Sequence, residues 1–135
     1  KGRTVIENII LGMRFLNFSQ QEIEQNANDA LNKVGLAHKR NSLVEELSWG
    51  ESQRIAIARA VARKPSLILA DEPTGNLDLE NAIKILEILI SLKNENTSII
   101  IATHASHLIQ DIQKGIFIQV DKGNLKFERR GVKAK

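Results

Sequence analysis

Residues 67–78 read LILADEPTGNLD and place two carboxylates, Asp71 and Glu72, directly behind four apolar residues. A short apolar run just after Pro65 predicts a buried strand of a parallel sheet over Leu67–Ala70. In open α/β sheets ligands bind at the carboxyl ends of the strands, so the two acids stand where a nucleotide would lie. One carboxylate can hold Mg²⁺, a hard cation that prefers oxygen. The other can polarise an attacking water. Together they suit phosphoryl transfer, although the bare pattern fits a strand that ends in a solvated acidic turn equally well.

A second stretch, Leu47-Ser48-Trp49-Gly50-Glu51-Ser52-Gln53-Arg54, opens an alanine-rich segment. Ser48 suits an N-cap, and Gly50 leaves the backbone open in the first turn. Exposed N–H groups and the positive dipole end of a helix form an anion site, to which the Ser48 hydroxyl adds a donor. A plain capped helix explains the same residues. His104 follows an apolar run, Ser98–Thr103, and so also falls at a carboxyl strand end. It lies beside Asp71 and Glu72 if the two strands are neighbours. His38 and His107 lack such a setting and read as surface or core filler. Asp78 reads as the N-cap of the next helix. Arg54 and Arg59 read as members of surface ion pairs, each of little energetic weight.

These groups need elements to position them. The pattern predicts helices over residues 4–16, from about Ser19 to Val34, and over 50–63 and 79–93, with a short one over 107–112. Thr4 with Glu7 and Ser19 with Glu22 have capping-box spacing, and Gly35 is the expected residue just past the second helix. Residues 36–47 read as an irregular link with some helical turn. A β-hairpin closes the chain, pairing 116–120 with 125–128 around Asp121-Lys122-Gly123-Asn124.

The chain has 135 residues, 42% hydrophobic and 26% charged, an ordinary globular composition for one domain. The net charge of +3 comes with no basic patch interleaved with aromatics, which gives nucleic acid little weight as a partner. There is no cysteine, so no disulfide framework and no thiol chemistry. No apolar stretch reaches the length of a membrane span, so direct membrane insertion is not expected. The start, KGRTVIENII, lacks an initiator Met and an adequate signal-peptide core.

Taken together, LSWGESQRIAIARAVARKPSLILADEPTGNLD resembles the signature-to-Walker-B region of ATP-binding-cassette (ABC) ATPases, and the agreement in order and spacing extends over about residues 43–104. The wording LADEPTGNLD, with Glu51 in the signature, is similar to the branch that includes lipoprotein-releasing, macrolide-export and cell-division ATPases. The resemblance implies an α/β fold, the C-terminal part of a P-loop NTPase domain. Residues 1–63 would be the helical signature subdomain, and 64–135 the latter half of the catalytic core with its closing hairpin. It further implies that Ser48, Gly50 and Glu51 face ATP held by an opposing cassette. Asp71 would support Mg²⁺, Glu72 would act as general base, Asp78 would be the D-loop aspartate that couples two sites, and His104 would be the switch histidine. The implied partners are a second cassette and an integral-membrane permease. The implied place is the cytoplasmic face of the inner membrane, held peripherally. The implied work is ATP-driven export, with lipoproteins as the cargo of that branch.

Two features depart from the family pattern. No G-x-x-x-x-G-K-[ST] phosphate loop occurs, and the Q-loop glutamine and A-loop aromatic are missing. The chain by itself is therefore expected to bind ATP weakly or not at all and not to hydrolyse it. Trp49 stands where the family has glycine, so its side chain either points away from a phosphate or blocks the approach. A non-catalytic remnant that only docks to a permease or an intact cassette is the alternative expectation.

Overall fold

The computed structural model describes residues 2–131. They fall into two compact units that divide between His104 and Ala105.

The first unit begins with α1 (Val5–Leu11), α2 (Gln20–Lys33) and α3 (Trp49–Val61). Each starts at a reciprocal capping box. The Thr4, Ser19 and Ser48 N–H groups donate to Glu7, Glu22 and Glu51 at 2.8, 2.8 and 2.9 Å, and their hydroxyls accept from the same residues' N–H groups. Two donors that a helix leaves without partners are thereby satisfied at each start. These amide donors hold all three glutamates below the usual carboxylate range. The end of α2 also follows expectation. Gly35 takes φ +70°, Leu36 N–H donates to Leu31 O and Gly35 N–H to Asn32 O, which together make a Schellman motif. Leu31 and Leu36, almost wholly buried, supply its apolar contact.

α1 stops earlier than its periodicity predicts. The apolar pattern continues to Leu16, but the helix ends at Leu11 and Gly12 caps it. Glycine is among the poorest helix formers, and here it also lets the Arg59 stem lie close against the backbone. The chain then proceeds through turns that still bury Met13 completely. The link over 36–47 contains two 3₁₀ turns, Ala37–Lys39 and Val44–Glu46. It holds α1 from the side, because Val5 and Ile6 N–H groups donate to Ser42 O and Arg40 O.

A strand–helix–strand segment follows: β1 (Leu67–Asp71), α4 (Leu79–Ser91) and β2 (Ser98–Ala102). The strands pair in parallel, Leu67 opposite Ser98 through Asp71 opposite Ala102. The apolar stripe of α4, including Ile85 and Leu89, joins a single core with Val5, Ile9, Leu31, Ala58 and Ile68. Of the alanines within α3, Ala58 is fully buried in this core, whereas Ala56 and Ala60 are exposed. The fold is α/β, a set of helices followed by part of a parallel sheet, as the resemblance implies.

The second unit holds α5 (Ser106–Ile109) and a hairpin of β3 (Gly115–Asp121) and β4 (Asn124–Arg130). The short helix starts and ends before the predicted 107–112, while the hairpin turns where expected, with Lys122 and Gly123 at positive φ. Arg130 fastens the unit. It pairs with both oxygens of Glu128, donates to Ile109 O and Gln110 O, and stacks 4.0 Å from the Phe117 ring centre.

Leu31 is fully buried at the junction of α2 with the core, and its side chain also completes the Schellman contact. Leu31→Ala is expected to lower stability by about 2–5 kcal/mol, measured by urea unfolding.

Candidate functional site

The parallel register brings the carboxyl ends of β1 and β2 side by side. Asp71, exposed, ends β1 opposite Ala102. The next residue, Glu72, donates its N–H to Ala102 O at 2.8 Å, which extends the ladder by one bond. Its φ of +44° puts it in the left-handed region, where a residue with a Cβ is strained. That turn of the backbone brings its side chain to the residues after β2. Oε1 accepts from His104 N–H at 2.9 Å and meets His104 Nδ1 at 2.7 Å, while Oε2 accepts from the Thr103 hydroxyl at 3.2 Å. The structure thus unites the two residues that the sequence reading proposed as catalytic.

The chemistry of this pair is constrained. The His104 side chain beside it, then its backbone N–H, hold the Glu72 carboxyl below its usual range, so it is ionised at neutral pH. A carboxylate can only accept, so His104 Nδ1 carries the proton between them. In the neutral ring Nε2 then bears a lone pair. The His104 side chain is otherwise 86% exposed. Among the described residues no three His, Cys, Asp or Glu side chains converge on a metal-sized site. Asp71 alone offers an exposed strand-end oxygen suited to one position on a hydrated Mg²⁺.

The start of α3 forms the other part of the candidate site. Ser48 is exposed and caps the helix. The Glu51 carboxylate turns back onto the Ser48 N–H and lies 3.4 Å from Lys39 Nζ, contacts that hold the helix start. Trp49 is 63% exposed, so its indole points away from the core. Gly50 is buried against α4, where a Cβ would come within 2.9 Å of Asn81 Oδ1. Asn81 is in turn held by Asp78, which caps α4: Asp78 Oδ1 accepts the Asn81 N–H at 3.0 Å and Oδ2 its side-chain amide at 2.6 Å. These amides keep the Asp78 carboxyl below its usual range. The two helix starts therefore touch through Gly50 and Asn81.

Sequence reading missed three residues that shape this region. Thr103 is the third donor to Glu72, Asn81 links the helix starts, and Gln53 donates its side-chain amide to Pro73 O at 3.0 Å. Asn81 alone had a local signal, its spacing of three from Asp78. Arg54 and Arg59, expected in ion pairs, join none of those recorded among the described residues. Arg54 instead donates to Val34 O at 3.4 Å, and the Arg59 stem packs on Gly12.

The capped helices followed by a parallel strand–helix–strand unit make up part of a P-loop NTPase fold of the ABC ATPase kind. The ABC transporter family profile matches residues 1–75, and the chain belongs to that family. It is 39% identical over 123 residues to the cell division ATP-binding protein FtsE of Streptococcus pneumoniae, a match that covers 91% of this chain and 53% of the relative. It is 41% identical over 124 residues to the lipoprotein-releasing system ATP-binding protein LolD of Pseudoalteromonas translucida, with the same 91% and 53% coverage. The dimeric bacterial ABC transporter cassette MJ0796 superposes with a TM-score of 0.73 at 31% identity, covering 96% of this chain and 58% of that one. The chain thus spans about half the length of the relatives it matches.

Gly50→Ala is expected to cost about 1–2 kcal/mol, because Asn81 cannot retreat without leaving Asp78. In a double-mutant cycle by urea unfolding, Gly50→Ala with Asn81→Ala should cost less than the sum of the two. The Glu72 pair sets a pH dependence. Its folded carboxyl lies below the ordinary value of 4.5, so its stabilisation is fully present above pH 4.5 and is lost as pH falls through the lowered value. The stability difference between wild type and Glu72→Gln should shrink as pH falls below 4.5 and vanish in stronger acid, as read by thermal melts across pH.

Proposed function

We propose that this chain is the signature and Walker-B half of an ATP-hydrolysing ABC cassette that drives transport through a membrane permease. Within it, 1–63 is the helical signature part and 64–135 the latter half of the catalytic core. The observation that carries the reading is the ionised Glu72 carboxylate at a strand end, fixed by His104 and Thr103 and one residue beyond Asp71. An ionised, oriented carboxylate in this place can accept the proton of a water that attacks a phosphoryl group. His104 holds that carboxylate by Nδ1 and presents its other nitrogen outward. Ser48, whose hydroxyl oxygen already accepts a backbone N–H, keeps its own proton for a phosphate oxygen. Gly50 puts no side chain between the start of α3 and Asn81, which lets the Asp78-capped start of α4 lie against it.

The fit of the family's ligands follows from the donor set. Asp71 and Glu72 suit Mg²⁺ and the water beside it, and the capped start of α3 suits a phosphate. Bound Mg²⁺–ATP would supply the reactive phosphoanhydride. A cassette dimer is supported by the dimeric relative MJ0796. Lipoprotein release is the transport reading we favour, in line with the LolD relative, whereas the FtsE relative supports a cell-division role. The expected setting is the cytoplasmic face of a membrane, where the cassette sits peripherally.

In the intact natural polypeptide that carries these residues, Mg²⁺–ATP hydrolysis is expected, and Glu72→Gln should lower kcat by at least ~10²-fold while ATP binding persists. Equal turnover by the two proteins would overturn the assignment of Glu72. The 135-residue chain alone should bind Mg²⁺–ATP weakly or not at all, and tight binding in calorimetry would contradict this. Co-purification with a lipoprotein-releasing permease, rather than with a cell-division membrane protein, tests the transport reading.

A further inference from the structure

Gln53 lies on α3, five residues after Ser48 and about 7–8 Å further along the helix axis. Its side-chain amide donates to Pro73 O at 3.0 Å, across twenty residues of sequence. Pro73 is buried and immediately follows Glu72, whose φ of +44° is a conformation that its surroundings must enforce. The turn is closed at three successive carbonyls. Glu72 O accepts from Gly75 N–H at 3.1 Å and Thr74 O from Leu77 N–H at 3.3 Å, both within the turn. Only the middle carbonyl, that of Pro73, is bonded to a different element, and its partner is Gln53.

We propose that Gln53 is a positioning residue for Glu72. By fixing the Pro73–Thr74 peptide it keeps Glu72 in its left-handed conformation and its carboxylate on His104 and Thr103. Pro73 has a fixed φ, so its ψ is the one rotation between that peptide and the Glu72–Pro73 peptide, and the bond from Gln53 to Pro73 O restrains it. The same side chain ties the phosphate-facing start of α3 to the turn that carries the carboxylate. The catalytic consequence rests on the reading of Glu72 as the base, whereas the positional one does not.

The substitution that separates positioning from packing is Gln53→Met, which keeps nearly the same length and bulk but offers Pro73 O no donor and adds no charge. The measurements are hydrogen exchange at the His104 N–H, which is bonded to Glu72 Oε1 while the carboxylate is in place, and Mg²⁺–ATP turnover, both in the intact natural polypeptide. In Gln53→Met the His104 N–H should exchange about tenfold faster, and kcat should fall about tenfold with KM for ATP within about twofold. Wild-type exchange at His104 in folded Gln53→Met would overturn the proposal. If the wild type does not hydrolyse ATP, the base reading of Glu72 fails, and the exchange measurement still decides the role of Gln53. If Gln53→Met does not fold, Gln53→Ala takes its place under the same criteria.

Discussion

The parallel pairing of β1 with β2 is the constraint on which the candidate site depends. Its register sets Asp71 opposite Ala102, and one further bond, Glu72 N–H to Ala102 O, carries the pairing past the end of the strand. At that point the backbone turns into a conformation that costs of order 1–3 kcal/mol in isolation. The ladder bond behind Glu72, the donors in front of it and the closed turn after it hold the residue there. A slip of one residue would face every side chain of the strand the other way and separate the carboxylate from His104. The chemistry is thus a property of the sheet edge more than of either side chain.

The helix starts are built on a different principle, local reciprocity. Thr4, Ser19 and Ser48 each exchange hydrogen bonds with a glutamate three residues on. Such boxes form from neighbours in sequence and require no tertiary partner. They also consume carboxylates that motif reading would assign to ligands. Glu51 is the instructive case. It lies inside a signature-like stretch, and one of its oxygens accepts the Ser48 N–H while the other lies 3.4 Å from Lys39 Nζ. At the same helix start, Gly50 is explained by contact: the room a side chain would need belongs to Asn81.

Much of this was legible in the sequence because the signals are local. The capping boxes, the Gly35 cap and the hairpin turn each arise within a few residues and stand where spacing puts them; the strands do too, but β1, expected to be buried, leaves Leu67 and Leu69 exposed. Glu72 and His104 could be placed together because two apolar strands of a strand–helix–strand unit tend to pair. What escaped were effects of contact at a distance. The end of α1 at Leu11 depends on Gly12 and on Arg59, more than forty residues away. The left-handed backbone of Glu72 and the bond from Gln53 are set by the packing of α3 on the turn, and neither residue type announces them. Arg54 and Arg59 resemble solvated cations in sequence, but their stems serve as packing surface and one guanidinium serves as a backbone donor.

Trp49 gives this protein an optical property. It is the one tryptophan of a chain that has no tyrosine, and its indole stands in solvent next to the Ser48 cap. Tryptophan emission therefore originates from a single fluorophore at the N-terminal end of α3. Its water-exposed emission maximum serves as the baseline. Any macromolecule or ligand that comes to cover this helix start registers as a blue shift or a loss of quencher access, with no second tryptophan and no tyrosine to confuse the signal. The residue that departs most from the family pattern thus makes that surface directly observable.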